Sequence, residues 1–410
     1  MIHDLIIIGG GPAGLMAAGY AAENGAKVLL LEKNKIIGIK LLSTGKERCN
    51  LTNDISVREM VNAFGPKGNF LFSAMSQFSP SDTIEFFQSR GVPIKVEKHQ
   101  RAFPVSDKAR DVLDVLMAYV NKHHVELSPD STVKEIVCEN NKITKLILTD
   151  GRELSAKNYI LATGGKSYPM TGSTGDGYTW LSALGHSIVT PLPAIVPIIV
   201  SDKIVKELEG VSLSEAKFTF KKDNKIIETR TGDAVFTSKG LSGPAILAAS
   251  SVVSRALPGI KVYIDFLPDE SEVNLDSRFQ KLFAENTNRQ IKNVFSGVLP
   301  PKLTLVLLQL ATISPDEKIN QITRSDRQNL VKLIKNLEMQ VERVDGFFNA
   351  MVTTGGLDLK EVDSKTMKSK LIHNLYLAGE ILDLDGPTGG YNLQSCWSTG
   401  RLAGISSIQE

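Results

Sequence analysis

Leu5-Ile6-Ile7-Ile8-Gly9-Gly10-Gly11-Pro12-Ala13-Gly14, with Glu32 about 20 residues further on, is the stretch that decides the fold. Gly9, Gly11 and Gly14 satisfy the spacing G-x-G-x-x-G directly after an apolar run and at the opening of an alanine-rich helix. The first glycine permits a tight turn, the second lets backbone approach a pyrophosphate, and the third allows close packing of helix on strand. The helix that Pro12 and Ala13 begin offers its unpaired N–H groups to an anion. Glu32 closes the second apolar run, Val28-Leu29-Leu30-Leu31, where a carboxylate can accept hydrogen bonds from ribose hydroxyls. A glycine turn followed by a surface glutamate would explain the residues equally well one at a time. It does not explain their joint spacing and context. Strand, glycine turn, helix and strand together predict the first half of a parallel, doubly wound sheet whose strands are covered on both faces.

Working outward, residues 54–125 read as mostly helical, with Ser81-Asp82 as a cap and a second amphipathic run from Ala109 to Val120. Val133 to Glu139 and Lys145 to Leu148 bracket an Asn140-Asn141 turn, and Tyr159 to Ala162 reads as a returning core strand. The prolines of Pro191-Leu192-Pro193 and Pro197 mark a boundary, since proline interrupts helix and central strand alike. Short β runs are expected over 194–267 and helices over 268–342, which together form an insert. Strand-like character returns at Met351–Gly356 and Leu375–Ala378, so residues 1–193 and 343–410 are expected to form one domain around that insert.

The chain has 410 residues, 42% hydrophobic and 22% charged, which bounds it to an ordinary globular protein of two or three domains. A formal charge of +2 argues against a dedicated nucleic-acid binder. Cys49, Cys138 and Cys396 lie far apart and form no C-x-x-C pair, so neither a disulfide framework nor a metal site is expected, and a reducing, cytoplasmic setting fits. The first apolar run is too short for a signal peptide or a membrane span. His123-His124 reads as a surface pair. Lys217, Lys221, Lys222 and Lys225, interleaved with Phe218 and Phe220, fit a nucleic-acid face or a strand with one solvated face.

The glycine turn alone does not separate FAD from NAD. The run Gly379-Glu380 through Gly389-Gly390-Tyr391-Asn392-Leu393-Gln394 adds a second glycine-led helix, whose N-terminus suits the negative charge that gathers on a reduced flavin. These residues, with Glu32-Lys33-Asn34, Gly38 to Lys40-Leu41-Leu42, Arg48-Cys49-Asn50-Leu51-Thr52-Asn53 and Gly240-Leu241-Ser242-Gly243-Pro244-Ala245, resemble the BaiN-like, or aminoacetone-oxidase-like, flavoprotein family along nearly the whole chain. The resemblance implies a Rossmann-type FAD-binding α/β domain formed by both chain ends, with an inserted β-rich plus helical domain. It implies that Glu32 holds the adenosine ribose, that Val133 meets the adenine by its backbone, and that Lys33, Lys40 and the Arg48-Cys49-Asn50 turn line the cofactor. Gly379, Glu380, Gly389, Gly390, Asn392 and Leu393 would hold the ribityl-flavin end. Thr163-Gly164 and Asp176, in segments similar to those of fumarate-reductase-type flavoproteins, would lie beside it.

The chemistry so implied is hydride transfer at flavin N5 on a small organic molecule, as a reductase of a conjugated carbonyl or as an amine oxidase. No second glycine fingerprint is present, so NADH or NADPH would dock only transiently as electron donor. A flavoprotein that binds RNA or a protein partner without catalysis is the rival from another class, weakened by the neutral charge. Two departures from the family pattern stand out. Glu47 occupies a position where the family carries glycine, which predicts backbone strain if that position needs positive φ. Ser238 stands where relatives often have histidine, so no general acid is carried over and the catalytic residues stay unassigned.

Overall fold

The structure, a computed structural model, describes residues 3–45, 47–295 and 297–409. It divides into two compact units, one built from residues 3–192 and 351–409 and the other from residues 193–350.

In the first unit a five-stranded parallel sheet takes the order β5-β4-β1-β2-β3, where β1 is His3–Ile8, β2 Val28–Leu31, β3 Glu126–Ser128, β4 Ala156–Leu161 and β5 Leu375–Leu377. The strand order reverses direction at β1, and ligands of such sheets bind beyond the strand ends at that point. Every residue of β2 is buried, as are Leu5 to Ile8 of β1, so these apolar runs are strands covered on both faces. Helix α1 (Pro12–Glu23) follows β1, and helix α2 (Tyr391–Ser406) packs against it. Glycine makes that contact possible. A Cβ on Gly400 would lie 2.4 Å from Ala13 O, and one on Gly404 2.4 Å from Ala17 O, so the two helices meet backbone to backbone.

The helical reading of residues 54–125 needs two corrections. A three-stranded antiparallel sheet joins Thr52–Asn53, Arg101–Pro104 and Ile94–Glu97 in the middle of this region. Its strands are too short and too charged to show a clear period of two. The helix cap is Ser79, not Ser81-Asp82: Ser79 accepts from Asp82 N–H, Asp82 returns the bond, and Pro80 takes the first helical position.

The second unit is a closed barrel of six strands, in the order Ile198–Val200, Gly240–Ser242, Lys225–Thr237, Ser212–Lys222, Ile260–Asp265 and Leu337–Val344. Helix Pro244–Ala256 packs on Lys225–Thr237, and helices Glu272–Glu285, Pro301–Leu310 and Arg324–Lys335 bury Phe279, Leu307 and Ile334 in the same core. The expected end of the insert at 342/343 falls inside strand Leu337–Val344, which closes the barrel against Ile198–Val200. The division lies at 350/351 instead. Leu337, Met339 and Val341 alternate with polar residues, so a strand signal was present at the end of a run read as helical. Phe218 and Phe220 are fully buried, and Lys221 lies over the Tyr263 ring at 4.4 Å. The aromatic residues between these lysines are therefore core, with no face for stacking on bases. Among the described residues no helix is long and apolar enough to cross a membrane.

Candidate cofactor and active site

A cleft of about 1280 Å³, counted to its open mouth, lies at the ends of β1, β2 and β4, where Ile8, Leu31 and Ala162 form part of its wall. Gly9, Gly11, Pro12 and Ala13 line one wall. Glu32, Lys33 and Val133 line one stretch, Lys40, Thr163, Gly164 and Asp176 another, and Glu380, Asn392 and Leu393 come from the C-terminal segment. Fourteen of the residues singled out from sequence thus meet in one cavity.

The glycine turn has the shape an anion needs. Gly11 caps α1 without any side-chain bond, and the first helical hydrogen bond runs from Leu15 N–H to Gly11 O at 2.9 Å, which leaves the N–H groups of Ala13 and Gly14 without helical partners. A Cβ on Gly11 would meet nothing within 4 Å, so open cavity adjoins its backbone. Gly14 does not line the cleft; a Cβ there would lie 1.9 Å from Gly9 O, so it serves helix packing. Glu32 is 9% exposed. Its Oε2 accepts from Gly10 N–H at 2.8 Å and its Oε1 from Asn34 N–H and Nδ2 at 2.9 and 2.8 Å. A carboxylate has about four acceptor positions, so capacity remains for a ribose hydroxyl.

Lys33 crosses to the far wall, donating to Thr174 Oγ1 at 2.5 Å and to Asp176 at 2.7 Å. Deeper in the cleft, Lys40 donates to Ser167 Oγ and to Glu380 Oε2, both at 2.7 Å, while Glu380 Oε1 accepts from Ser167 Oγ and Thr353 N–H, both at 2.8 Å. The ammonium has three donors, and these bonds use two. Ser167 and Thr353 were not singled out from sequence, and no local signal marks them.

Gly379, Gly389 and Gly390 are not among the residues of the cleft wall. Gly390 caps α2 with φ +96°, and a Cβ on it would strike Thr52 C at 2.5 Å, so only glycine fits there. Asn392 turns its side chain back on the loop, accepting from Gly386 N–H at 2.8 Å and donating to Gly386 O at 2.9 Å. What it offers the cleft is therefore backbone. Gln394, fully buried, accepts from Thr52 and Thr83 hydroxyls and donates to Phe78 O and Ser398 Oγ, which fixes the head of α2 with every amide position used.

The arginine turn departs from expectation. Arg48, Cys49 and Asn50 are absent from the cleft wall. Arg48 is bound to Glu97 and Asp107 and lies 4.2 Å over the Phe103 ring. Asn50, with its amide oriented to suit its neighbours, donates to Thr52 O and Ala102 O and accepts from Gly390 N–H at 3.2 Å. Glu47 has φ +67°, the strain expected where a side chain replaces glycine, and Cys49 also has positive φ, at +57°. Ser238 is exposed between two barrel strands. Burial pushes the thiols of Cys49 and of Cys396, which lines the cleft, up to about 12. Both are thus protonated thiols, not redox nucleophiles. Burial raises the Cys138 thiol as well, though less of it is covered, so with iodoacetamide at pH 8 the native protein is expected to be alkylated first at Cys138, and at all three cysteines once unfolded; mass spectrometry reads the sites. Labelling of native Cys396 would show its thiol to be accessible. Among the described residues no three His, Cys, Asp or Glu side chains converge as a metal site.

The model of the HI0933-like protein Rossmann domain matches residues 3–406. The chain belongs to that family. The relatives it aligns with end to end include the 3-dehydro-bile acid delta(4,6)-reductase of Clostridium scindens, 32% identical over 98% of both chains. The ribosomal RNA dihydrouridine synthase of Escherichia coli is 30% identical over 97% of this chain and 96% of its own. The fold is similar to that of 3-ketosteroid-delta4-(5alpha)-dehydrogenase from Rhodococcus jostii RHA1, with a TM-score of 0.55 at 16% identity, covering 100% of this chain and 97% of that one. The BaiN-like resemblance stands, and this HI0933-like chain is a flavin-dependent oxidoreductase.

Proposed function

We propose that the protein binds FAD in this cleft and reduces a carbon–carbon double bond conjugated with a carbonyl, with NADH or NADPH as a transient electron donor. The carrying observation is full-length kinship with two enzymes whose names share one chemistry. A 3-oxo steroid with ring unsaturation and a uracil ring both present an alkene conjugated with C=O; a hydride adds at the β-carbon and a proton at the α-carbon. Bound FAD supplies the hydride chemistry at N5. The protein's own residues hold and orient: Glu32 takes the adenosine ribose, Val133 the adenine, the head of α1 the pyrophosphate, and Lys40 with Glu380 the centre of the cofactor. Asn392 and Leu393 bring the backbone N–H groups of the head of α2 to the flavin end, where a partial positive charge favours a reduced, anionic ring.

A second reading of the acceptor, a uracil base within RNA, rests on Lys98, His99 and Gln100. These exposed residues form the tip of the hairpin between Ile94–Glu97 and Arg101–Pro104, and His99 O is held by Asn53, which also bonds Gly389 O. Such a cationic tip beside the head of α2 suits a phosphate backbone, although the overall charge of +2 gives little general attraction.

One experiment separates the readings. The FAD-loaded protein is reduced anaerobically with NADH or NADPH and then mixed with a steroid enone, a uridine-containing ribosomal RNA fragment, or oxygen; a separate oxidised sample receives amines. Flavin reoxidation by enone or RNA, with formation of the saturated product, is the expected result. Reduction of the oxidised flavin by amines, followed by turnover with oxygen, would replace the reductase by an oxidase, and a flavin inert to every donor would remove the enzymatic reading.

A further inference from the structure

The small sheet beside the head of α2 carries a charged face that neither cofactor binding nor hydride transfer uses. Arg101 lies opposite Asn53 on one side and Glu97 on the other, and Lys95 lies opposite Phe103. Side chains directly opposite in an antiparallel pair share a face, as do residues two apart on one strand. Asn53, Arg101, Phe103, Lys95 and Glu97 therefore occupy the same face. Asn53 places that face against the Gly389 loop, since its Nδ2 donates to Gly389 O at 3.3 Å.

Three cations gather there, and two of them are neutralised. Arg48 is bound by Glu97 and Asp107, and Lys95 lies 2.7 Å from Asp107 and 3.6 Å from Glu97. Arg101 is the exception: among the described residues no carboxylate pairs with it. Its Nε donates to Lys98 O at 3.2 Å, and its guanidinium lies 5.9 Å from the centre of the Phe103 ring. Among the described residues both terminal nitrogens are without a hydrogen-bond partner. Its one hydrogen bond is exposed, and a guanidinium so placed presents a fork to a carboxylate or phosphate.

We infer that Arg101 anchors the substrate by receiving an anionic group, carboxylate or phosphate, carried at a distance from the double bond that is reduced. The inference rests on the reductase reading above and names a property of the substrate: an acid, and not a neutral enone. Arg101 is a positioning residue, so its loss should appear in binding and leave the chemical step nearly intact.

The test uses FAD-loaded wild type, Arg101→Gln and Arg101→Lys with matched pairs of compounds. One pair is a cyclic enone bearing a carboxylate and its methyl ester; the other is uridine monophosphate and uridine. KM and kcat are measured for each. In parallel, Kd is read from perturbation of the flavin absorbance by the saturated analogue of each compound, which requires no turnover. Arg101→Gln should raise KM and Kd at least about tenfold for the charged member of the preferred pair, the loss expected for a charge-assisted hydrogen bond. The neutral member, kcat and FAD content should stay within about twofold, and Arg101→Lys should recover part of the loss. Which pair responds distinguishes a carboxylate from a phosphate. Equal losses for charged and neutral members, no loss for either, or no binding of any probe by wild type would overturn the assignment. Arg101-dependent binding of the acid without reduction of any enone would keep the anchor and remove the reductase reading.

Discussion

Gly400→Leu is expected to leave the protein unable to retain FAD and destabilised by about 3 kcal/mol or more, the upper range for forcing extra atoms into a packed interface. A Cβ at this position lies 2.4 Å from Ala13 O, and its neighbours are backbone, so no change of rotamer can relieve the contact. Helix α2 would have to move away from α1, and the moving end carries Asn392 and Leu393 of the cleft wall. Thermal unfolding and flavin content of the purified variant measure both effects. Gly346→Ala serves as control, since a Cβ there meets nothing within 4 Å. A Gly400→Leu protein that is yellow and melts with wild type would show that the helices do not need their close approach.

Glu32→Ala is expected to raise the Kd for FAD by about 10- to 150-fold, which is about 1.5–3 kcal/mol for hydrogen bonds to a charged acceptor. The carboxylate also accepts from Gly10 N–H, so its loss loosens the glycine turn as well as the ribose contact. Glu32→Gln keeps one carbonyl acceptor and should fall between wild type and alanine. Fluorescence titration of the apoprotein with FAD gives the three constants. Equal constants for wild type and alanine would remove Glu32 from the site, since both of its roles act through the same oxygens.

What was legible in the sequence was what adjacent residues fix. The glycine turn, α1 and Glu32 occupy one continuous segment whose geometry follows from strand, turn and helix rules, and the cleft wall contains them. The positive φ at Glu47 was anticipated through the family resemblance, which puts glycine at that position. The partners of Arg48 were not legible because they lie 49 and 59 positions away, Glu97 in a hairpin that the helical reading of that region did not include and Asp107 just beyond it. The Lys40–Glu380 pair spans 340 positions, and the apposition of Gly400 with Ala13 depends on two helices from opposite ends of the chain. No period or local motif announces such contacts. By contrast, the alternation in Leu337–Val344 was available and was outweighed by the helical run before it.

The same union of distant segments sets the order in which the protein can be made. Leu375–Leu377 pairs with Ala156–Leu161, and Tyr391–Ser406 covers Pro12–Glu23, so the first 192 residues leave the ribosome without one neighbour of their sheet or the cover of their first helix. At about 5–20 residues per second, the roughly 180 residues before the missing strand take on the order of 10–40 s to synthesise. During that interval Leu161 and its strand present open hydrogen-bonding groups, and the small-residue face of the first helix is bare to solvent. The barrel, contained in one continuous segment, can form while the earlier segment waits. Flavin capture therefore follows synthesis of the C-terminal segment, which supplies Asn392 and Leu393 to the cleft wall.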